Sequence, residues 1–376
     1  MKTTKILLAA LAMAWCANTG LTAQEEESQF SVLSLNVDGL PGKIYFFDVN
    51  ADGPQVLGSE RISQYLAKTK CDILCLQENF NYHKEIGTWL LLPYNRDEWS
   101  GGINPEERVI DFAHLQNLKF ECDGLNMFWK NCIKNTDYER VAWNKNFGKF
   151  SHDFDDMITK GFRRHDITLP DGREVVVYNM HMDASSDRDE QKQNDARDRE
   201  ARLSQWTQLR DYILDHLDSR PIVIAGDMNS YYRRDEVKTQ FIEAINASGV
   251  AICGDVWVEK TQGGVYPQMG SEANEEETLD KILYVNPVQG EQIVPVSFAI
   301  DRDGYTRDGK PLGDHYPIMA TFQFVNPNVV GIETVRSESQ ECTAYDLKGV
   351  KQNAVTGTMS APASVQIVGR KKILNR

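Results

Sequence analysis

The sequence predicts an α/β sandwich of two packed mixed β-sheets with helices outside and a small β-like tail, and three observations predict it. Apolar runs of strand length recur across residues 30–324, and several close on a polar side chain. Stretches of helical periodicity stand between them, as expected where helices cover a sheet. The turn Pro170-Asp171-Gly172 joins two alternating runs, which marks a hairpin within the sheet.

Taken in order, residues 30–36 and 72–77 read as buried strands. Between them Ser59 to Lys68 has helical spacing, with Ile62, Tyr65 and Leu66 on one face. Residues 84–150 are rich in aromatics, glycine and asparagine, and suit two or three short strands among surface loops. The hairpin covers 161–169 and 173–181. A charged stretch from Ser185 to Glu200 reads as a solvated loop and helix start. The helix that follows sets Leu203, Trp206, Leu209, Ile213 and Leu217 on one face. Pro221 to Ala225 is a buried strand, Asp235 to Ala247 a helix, and Leu279 to Val285 and Tyr316 to Phe324 two late strands. Residues 1–23 read as a secretory signal: Lys2 and Lys5 precede the apolar run Ile6 to Trp15, and small Ala23 precedes an acidic start. A lipid anchor at Cys16 is disfavoured by bulky Trp15 before it. Residues 24–325 form the catalytic region, 326–340 a linker and 341–376 a tail too small to bury much core alone.

The polar residues at the strand ends carry the chemistry. Asn36, Glu78, His181, the pair Asp227 and Asn229, and the pair Asp314 and His315 each close or follow an apolar run. Buried polar groups of this kind are costly unless they meet partners, so their recurrence describes one shared site. Glu78 with the Asn36 amide offers hard oxygen ligands for a divalent cation. His315 can take a proton from water if a carboxylate holds its other nitrogen. Asp227 and Asn229, two apart in an extended segment, can face the same reactant. His181 can donate to a phosphoryl oxygen as charge builds. Singly, each has a bland alternative: a hydrogen-bonded strand histidine, a helix cap at Asp227–Asn229, a turn before Pro317. Their joint occurrence outweighs these. Asp183 stays open between a supporting partner and a loop cap, and His83, His114, His152, His165 and His216 read as surface or structural.

Together these segments resemble the endonuclease/exonuclease/phosphatase superfamily. The matching pieces are Leu35-Asn36-Val37, Leu76-Gln77-Glu78, Asn179-Met180-His181, Gly226-Asp227-Met228-Asn229, Leu279-Asp280 and Gly313-Asp314-His315. The resemblance implies a four-layer α/β sandwich and Mg²⁺-dependent phosphoester hydrolysis, with Mn²⁺ or Ca²⁺ as alternative cations. It assigns Asn36, Glu78 and Asp314 to the metal, His315 as base with Asp280 behind it, and Asp227, Asn229 and His181 to positioning and charge stabilisation. Within the superfamily, Arg202 with Gln205 and the segment Lys160-Gly161-Phe162 are similar to secreted sphingomyelinases, which implies a lipid phosphodiester substrate met at a membrane surface. Lys281 departs from that group, where an aromatic is common. No exposed Trp-Phe hairpin is evident, since Pro287 to Leu312 is polar at its tip. Ile44-Tyr45-Phe46-Phe47 reads either as an apolar lip or as a buried strand, the latter favoured.

Charge narrows the choice. The net charge is −14, and losing a signal with two lysines and no acid makes it −16. Such a surface repels nucleic-acid backbones, and the only basic runs are Arg163-Arg164-His165 and Arg233-Arg234 before the tail. An extracellular nuclease is therefore the second reading, an inositol-phosphate phosphatase the third, and a non-enzymatic surface binder the last. Export permits disulfides, and Cys122 with Cys132 is the expected pair, while Cys71 and Cys75 read as buried small residues. The tail resembles sorting tails of exported proteins, and places the chain in the periplasm, on the surface or in the medium.

Overall fold

A computed structural model describes residues 28–44, 47–103, 119–148, 152–184, 196–234, 236–271 and 276–325, with four short strands between 344 and 374. The signal segment, Cys16, Cys342, the linker, Tyr45 and Phe46, His114 and the stretch 185–195 lie outside the described residues. The chain divides into two compact units at Val325 and Asn326. In the second, Ala344–Tyr345, Lys351–Gln352, Val365–Val368 and Lys371–Leu374 pair into one antiparallel sheet.

The first unit holds two six-stranded sheets. Its major strands are β1 (Gln29–Asn36), β2 (Ile73–Gln77), β3 (Tyr94–Arg96), β4 (Asn126–Lys130), β5 (Lys134–Ala142) and β6 (Gly161–Thr168). They continue with β7 (Glu174–His181), β8 (Ile222–Asp227), β9 (Ala251–Asp255), β10 (Asp280–Pro287), β11 (Gln292–Ile300) and β12 (Ile318–Val325). The sheets run β11-β12-β1-β2-β4-β3 and β9-β10-β8-β7-β6-β5. Each contains one parallel pair, β1 with β2 and β7 with β8. A helical crossover supplies each of these connections: α1 (Gln55–Thr69) for the first pair and, beyond the short α2 (His83–Gly87), α3 (Ala196–Asp215) for the second.

Side-chain alternation sorts the core into three apolar layers. On β1, Val32 faces the layer between the sheets while Leu33 faces α1. On β10, Ile282 points inward and Leu283 outward. The central layer joins Ile73, Cys75 and Phe322 of one sheet to Val177, Val223 and Ala225 of the other. Outside the first sheet, Ile62 and Leu66 of α1 cover Leu35 and Leu76. Outside the second, Trp206 and Leu209 of α3 and Phe241 cover Tyr178 and Ile224. The central strands are buried on both faces, which is why their sequences are continuous apolar runs. This is the four-layer sandwich expected from the sequence.

Several elements differ from expectation. Strands β9 and β11 lie where the sequence predicted no element. The buried face of α3 is not apolar throughout: it carries Asp198, Arg202 and Gln205 beside Trp206 and Leu209, while Leu203 is only half-buried and Leu217 lies beyond the helix end. The helix after β8 begins with a π-helical turn at Lys238–Glu243 before Ala244–Ser248. Ile44 pairs with Phe47 in a two-strand hairpin of its own, so the segment is not a strand of either large sheet. No disulfide links Cys122 to Cys132. Cys122 is buried against Phe80, Phe120 and Met157, whereas Cys132 is exposed in the turn between β4 and β5, so the two side chains occupy different environments.

A second kind of contact ties the sheets together. Arg163 on β6 donates two hydrogen bonds to Asp123, both 2.9 Å, and one of 2.8 Å to Asp97, all three groups being buried. Asp97 also accepts from Asn126 of β4 at 2.9 Å, so one carboxylate bridges both sheets. Burial opposes ionisation of Asp97, yet His165 and Arg163 beside it hold its carboxyl below the usual range. Removing the cation would leave the buried Asp123 with Arg140, at 2.8 Å, as its remaining charged partner and Asp97 with His165. Arg163→Ala should cost about 3–5 kcal/mol in urea unfolding, and a loss under 1 kcal/mol would show that water replaces the cation.

Candidate functional site

The two sheets bring the ends of β1, β2, β7, β8 and β10 to one place. In-register pairing sets Asp227 beside His181 on one side and Asp280 on the other. The strands approach so closely here that a Cβ at Gly226 would lie 2.1 Å from the Met180 carbonyl oxygen. From the other sheet, Asn36 ends β1 and Glu78 follows β2. Glu78 has φ +54°, and its carbonyl oxygen accepts the N–H of Gly39 at 3.1 Å, where a Cβ would sit 2.4 Å from that oxygen. The loop after β1 can therefore lie against Glu78 only with glycine there.

Asn36 joins the sheets. Its amide nitrogen donates to Glu78 Oε1 at 2.9 Å and to Asp227 Oδ2 at 3.1 Å, while its Oδ1 accepts the Asp38 N–H at 3.0 Å. One lone pair of Oδ1 remains. Asp227 Oδ2 also lies 3.5 Å from His181 Nε2 and 3.7 Å from His315 Nε2. Behind His315, Nδ1 stands 2.7 Å from Asp280 Oδ2. The structure thus gathers Asn36, Glu78, His181, Asp227, Asp280 and His315 into one chain of contacts. Asn229 joins them differently from expectation. It is not extended but left-handed, with φ +45°, and its N–H donates to Asp227 Oδ1 at 3.0 Å while its side chain donates to the Met182 carbonyl at 3.1 Å. The turn aims Asp227 rather than offering a second parallel ligand. Asp314 is exposed beside the group, and its charge reaches Glu78.

Electrostatics divide the site into two halves. Burial opposes charge on His315, but Asp280 and Asp227 hold its protonated form far more strongly, so its pKa stands well above the ordinary value. Burial and the neighbouring Lys160 push His181 well below it, leaving a neutral ring. Burial would raise Asp227, yet His315 and His181 beside it hold it low. Glu78 goes the other way: burial first, then the Asp314 and Asp38 charges, push it up to about 8.

Lys160 was missing from the candidate residues. Its Nζ is fully buried, ion-paired with Asp155, 3.1 Å from His181 Nε2 and 3.3 Å from the Met182 carbonyl. A lysine has no acceptor, so this contact makes Nε2 of His181 the acceptor. Lys160-Gly161-Phe162 was its only sequence signal. Asp183 supports the loop: its Oδ2 accepts the Phe147 N–H at 2.7 Å and its own N–H meets Gln205 at 2.9 Å. Burial and Asp155 push its carboxyl up to about 9. Of the remaining histidines, His165 is buried against Asp97, and His83 and His216 stack on Trp99 and Tyr212.

The acidic half fits a hard divalent cation. Glu78, Asp38 and Asp314 concentrate negative charge, which adds to burial in raising the Glu78 carboxyl. Carboxylate and amide oxygens are the donors that magnesium, manganese and calcium take. A second set, Asp227, Asp280 and His315, could each direct one ligand atom to a common point within 4.8 Å of one another. Its imidazole suits softer ions, and His315 is already held by Asp280 at 2.7 Å.

Residues 33–297 match the model of the endonuclease/exonuclease/phosphatase family, and the chain belongs to that family. Its members are divalent-metal-dependent hydrolases of phosphoesters. Sphingomyelinases of Mycobacterium bovis and Mycobacterium tuberculosis are 26% identical over 305 residues, which is 80% of this chain and 54% of theirs. The chain thus spans about half the length of those curated relatives. Among solved structures, an endonuclease/exonuclease/phosphatase of Bacteroides vulgatus is similar with a TM-score of 0.52 at 15% identity, covering 80% of this chain and 100% of that one. Beta toxin of Staphylococcus aureus gives 0.50 at 17%, covering 77% and 99%. A humanized D. rerio TDP2 gives 0.52 at 18%, covering 78% and 98%. These likenesses bear on the fold.

A cation entering beside Glu78 must displace the proton that its raised pKa retains at neutral pH. Apparent Mg²⁺ affinity should therefore fall about tenfold per unit as pH drops below about 8. Calorimetric titrations in buffers of different ionisation enthalpy would reveal the released proton. The same affinity at pH 6 and pH 8 would contradict it.

Proposed function

We propose that this protein is an exported, Mg²⁺-dependent phosphodiesterase that hydrolyses a lipid phosphodiester of the sphingomyelin type. The observation that carries this is the contact line Asp280–His315–Asp227, facing Glu78 and Asn36 across the joined strand ends. Relatives called sphingomyelinases support the lipid substrate. Export rests on the leader read from the sequence.

In this reading Asn36, Glu78 and Asp314 would hold the cation. When bound, it polarises a phosphoryl oxygen and offsets charge on the leaving oxygen. Asp280 holds Nδ1 of His315, so Nε2 faces the reacting water and takes its proton as the water oxygen bonds to phosphorus. The phosphorus–oxygen bond to the lipid alcohol breaks on the opposite side. His315 begins protonated between its two carboxylates, and must give up that proton before it can accept one. Lys160, close behind His181, holds a positive charge near the site, and its N–H on Nε2 makes the neutral His181 ring an acceptor there rather than the donor expected from the sequence. Asn229 keeps Asp227 aimed at His315.

His315→Ala and Glu78→Ala should each lower turnover with Mg²⁺ by about 10²–10⁴-fold, the range of general acid–base contributions, with unfolding midpoints little changed. Near-normal rates in either would remove it from the mechanism. EDTA should abolish activity and Mg²⁺ restore it; rescue by zinc alone would contradict the oxygen-donor site. The substrate test sets sphingomyelin vesicles against plasmid DNA. Lipid cleavage with intact plasmid is expected, and nicked plasmid with untouched lipid would make the protein a nuclease.

A further inference from the structure

The sequence contains two adjacent arginine pairs, at 163–164 and 233–234. Arg163 is bound by Asp97 and Asp123, and Arg164 pairs with Asp166 at 2.9 Å. That pair is neutralised within the sheet. Arg233 has no carboxylate at ion-pair distance among the described residues. Its guanidinium carbon instead lies 4.7 Å from the centre of the Tyr231 ring, and that of Arg234 lies 5.1 Å from the same ring.

We propose that Tyr231, Arg233 and Arg234 form an anion subsite beside the catalytic residues, taking a second phosphate-class group presented with the lipid phosphodiester. The inference rests on the phosphodiesterase reading and refines its substrate.

Position supports it. Tyr231 lies two residues beyond Asn229 and is half-buried, and His315 and both arginines act electrostatically on its phenol. The backbone of the turn is pinned from two sides: the Gly270 N–H donates to the Arg233 carbonyl at 2.8 Å, and Glu277 accepts the Tyr232 N–H at 2.6 Å. The arginine heads are therefore carried on a fixed turn, with the ring as their platform. Arg202 lies behind them, and its charge is already taken by a bidentate contact with Glu236 at 2.8 and 3.2 Å. Burial, then Arg202, push the pKa of Arg234 down, while Glu236 opposes them.

Chemistry then selects the ligand. A quaternary ammonium head would seek an aromatic face, but the π-cloud of Tyr231 is already engaged by two cations. Guanidinium groups bind phosphate oxygens through paired N–H donors. In a chain of net charge −14, an uncompensated arginine at the catalytic rim is where an anion gains most. The group can belong to the substrate head itself or to a neighbouring anionic lipid.

A matched pair of soluble diesters separates these cases: glycerophosphoinositol and its 4-phosphate, assayed with Mg²⁺. If the head supplies the anion, wild-type kcat/KM should favour the 4-phosphate by about tenfold. Arg233→Gln should erase that preference mainly through KM, and Arg233→Lys should restore part of it. The second arm uses sphingomyelin vesicles with and without phosphatidylglycerol. A phosphatidylglycerol-dependent gain lost in Arg233→Gln, with no soluble preference, assigns the anion to the surrounding bilayer. Equal behaviour of wild type and Arg233→Gln in both arms overturns the subsite. Thermal shifts by the two soluble diesters read binding without turnover. Preferential stabilisation by the 4-phosphate, lost in Arg233→Gln, would uphold the subsite even if the phosphodiesterase reading failed.

Discussion

The amide of Asn36 is the contact on which this site depends. Its two N–H groups are spent on carboxylates from different sheets, Glu78 beside β2 and Asp227 at the end of β8. Two buried carboxylates would otherwise repel each other across that gap. A neutral double donor lets them approach while leaving their net charge for a cation and a base. Gln77 and Asn179 continue the same seam one residue deeper, with a 2.8 Å hydrogen bond and two further bonds from Asn179 to carbonyls of the opposite sheet. The chemistry is thus held by amides whose hydrogen bonds cross the sandwich.

The helix α3 serves this seam from outside. Arg202 reaches Glu236, Gln205 holds the Asp183 loop and the Lys145 carbonyl, and Trp206 donates to Ser230. These residues give the helix an ambiguous pattern in the sequence, since its buried face is half polar. What looks like weak amphipathicity is a set of supports for the loops that carry His181 and Asn229.

The legible parts of the chain were those where one residue type had one physical meaning. Strands buried on both faces announce themselves as apolar runs, and a carboxylate or histidine closing such a run is hard to explain except as part of a site. Strand β11 was hidden because Pro295 interrupts it, and β9 because Cys253 and Gly254 give a five-residue strand little β character. Lys160 escaped because a lysine is ordinarily a solvated surface residue, and only its burial against Asp155 and His181 distinguishes it. The Cys122–Cys132 spacing suggested a bridge, but spacing says nothing about which way two side chains face. The turn at Asn229 was likewise invisible, because a left-handed asparagine and an extended one share the same letters.

Pro295 has a wider consequence. It lies in β11, at the open margin of one sheet, where it offers no N–H and the pairing register slips before Ser297. At the far margin of the other sheet, β5 is slipped between Asn135 and Asp137 and studded with charge. The two remaining margins, β3 and β9, are only three and five residues long. An incoming strand from a second molecule would find no long, flat ladder to join. The margins of these two sheets are thereby guarded against edge-to-edge pairing.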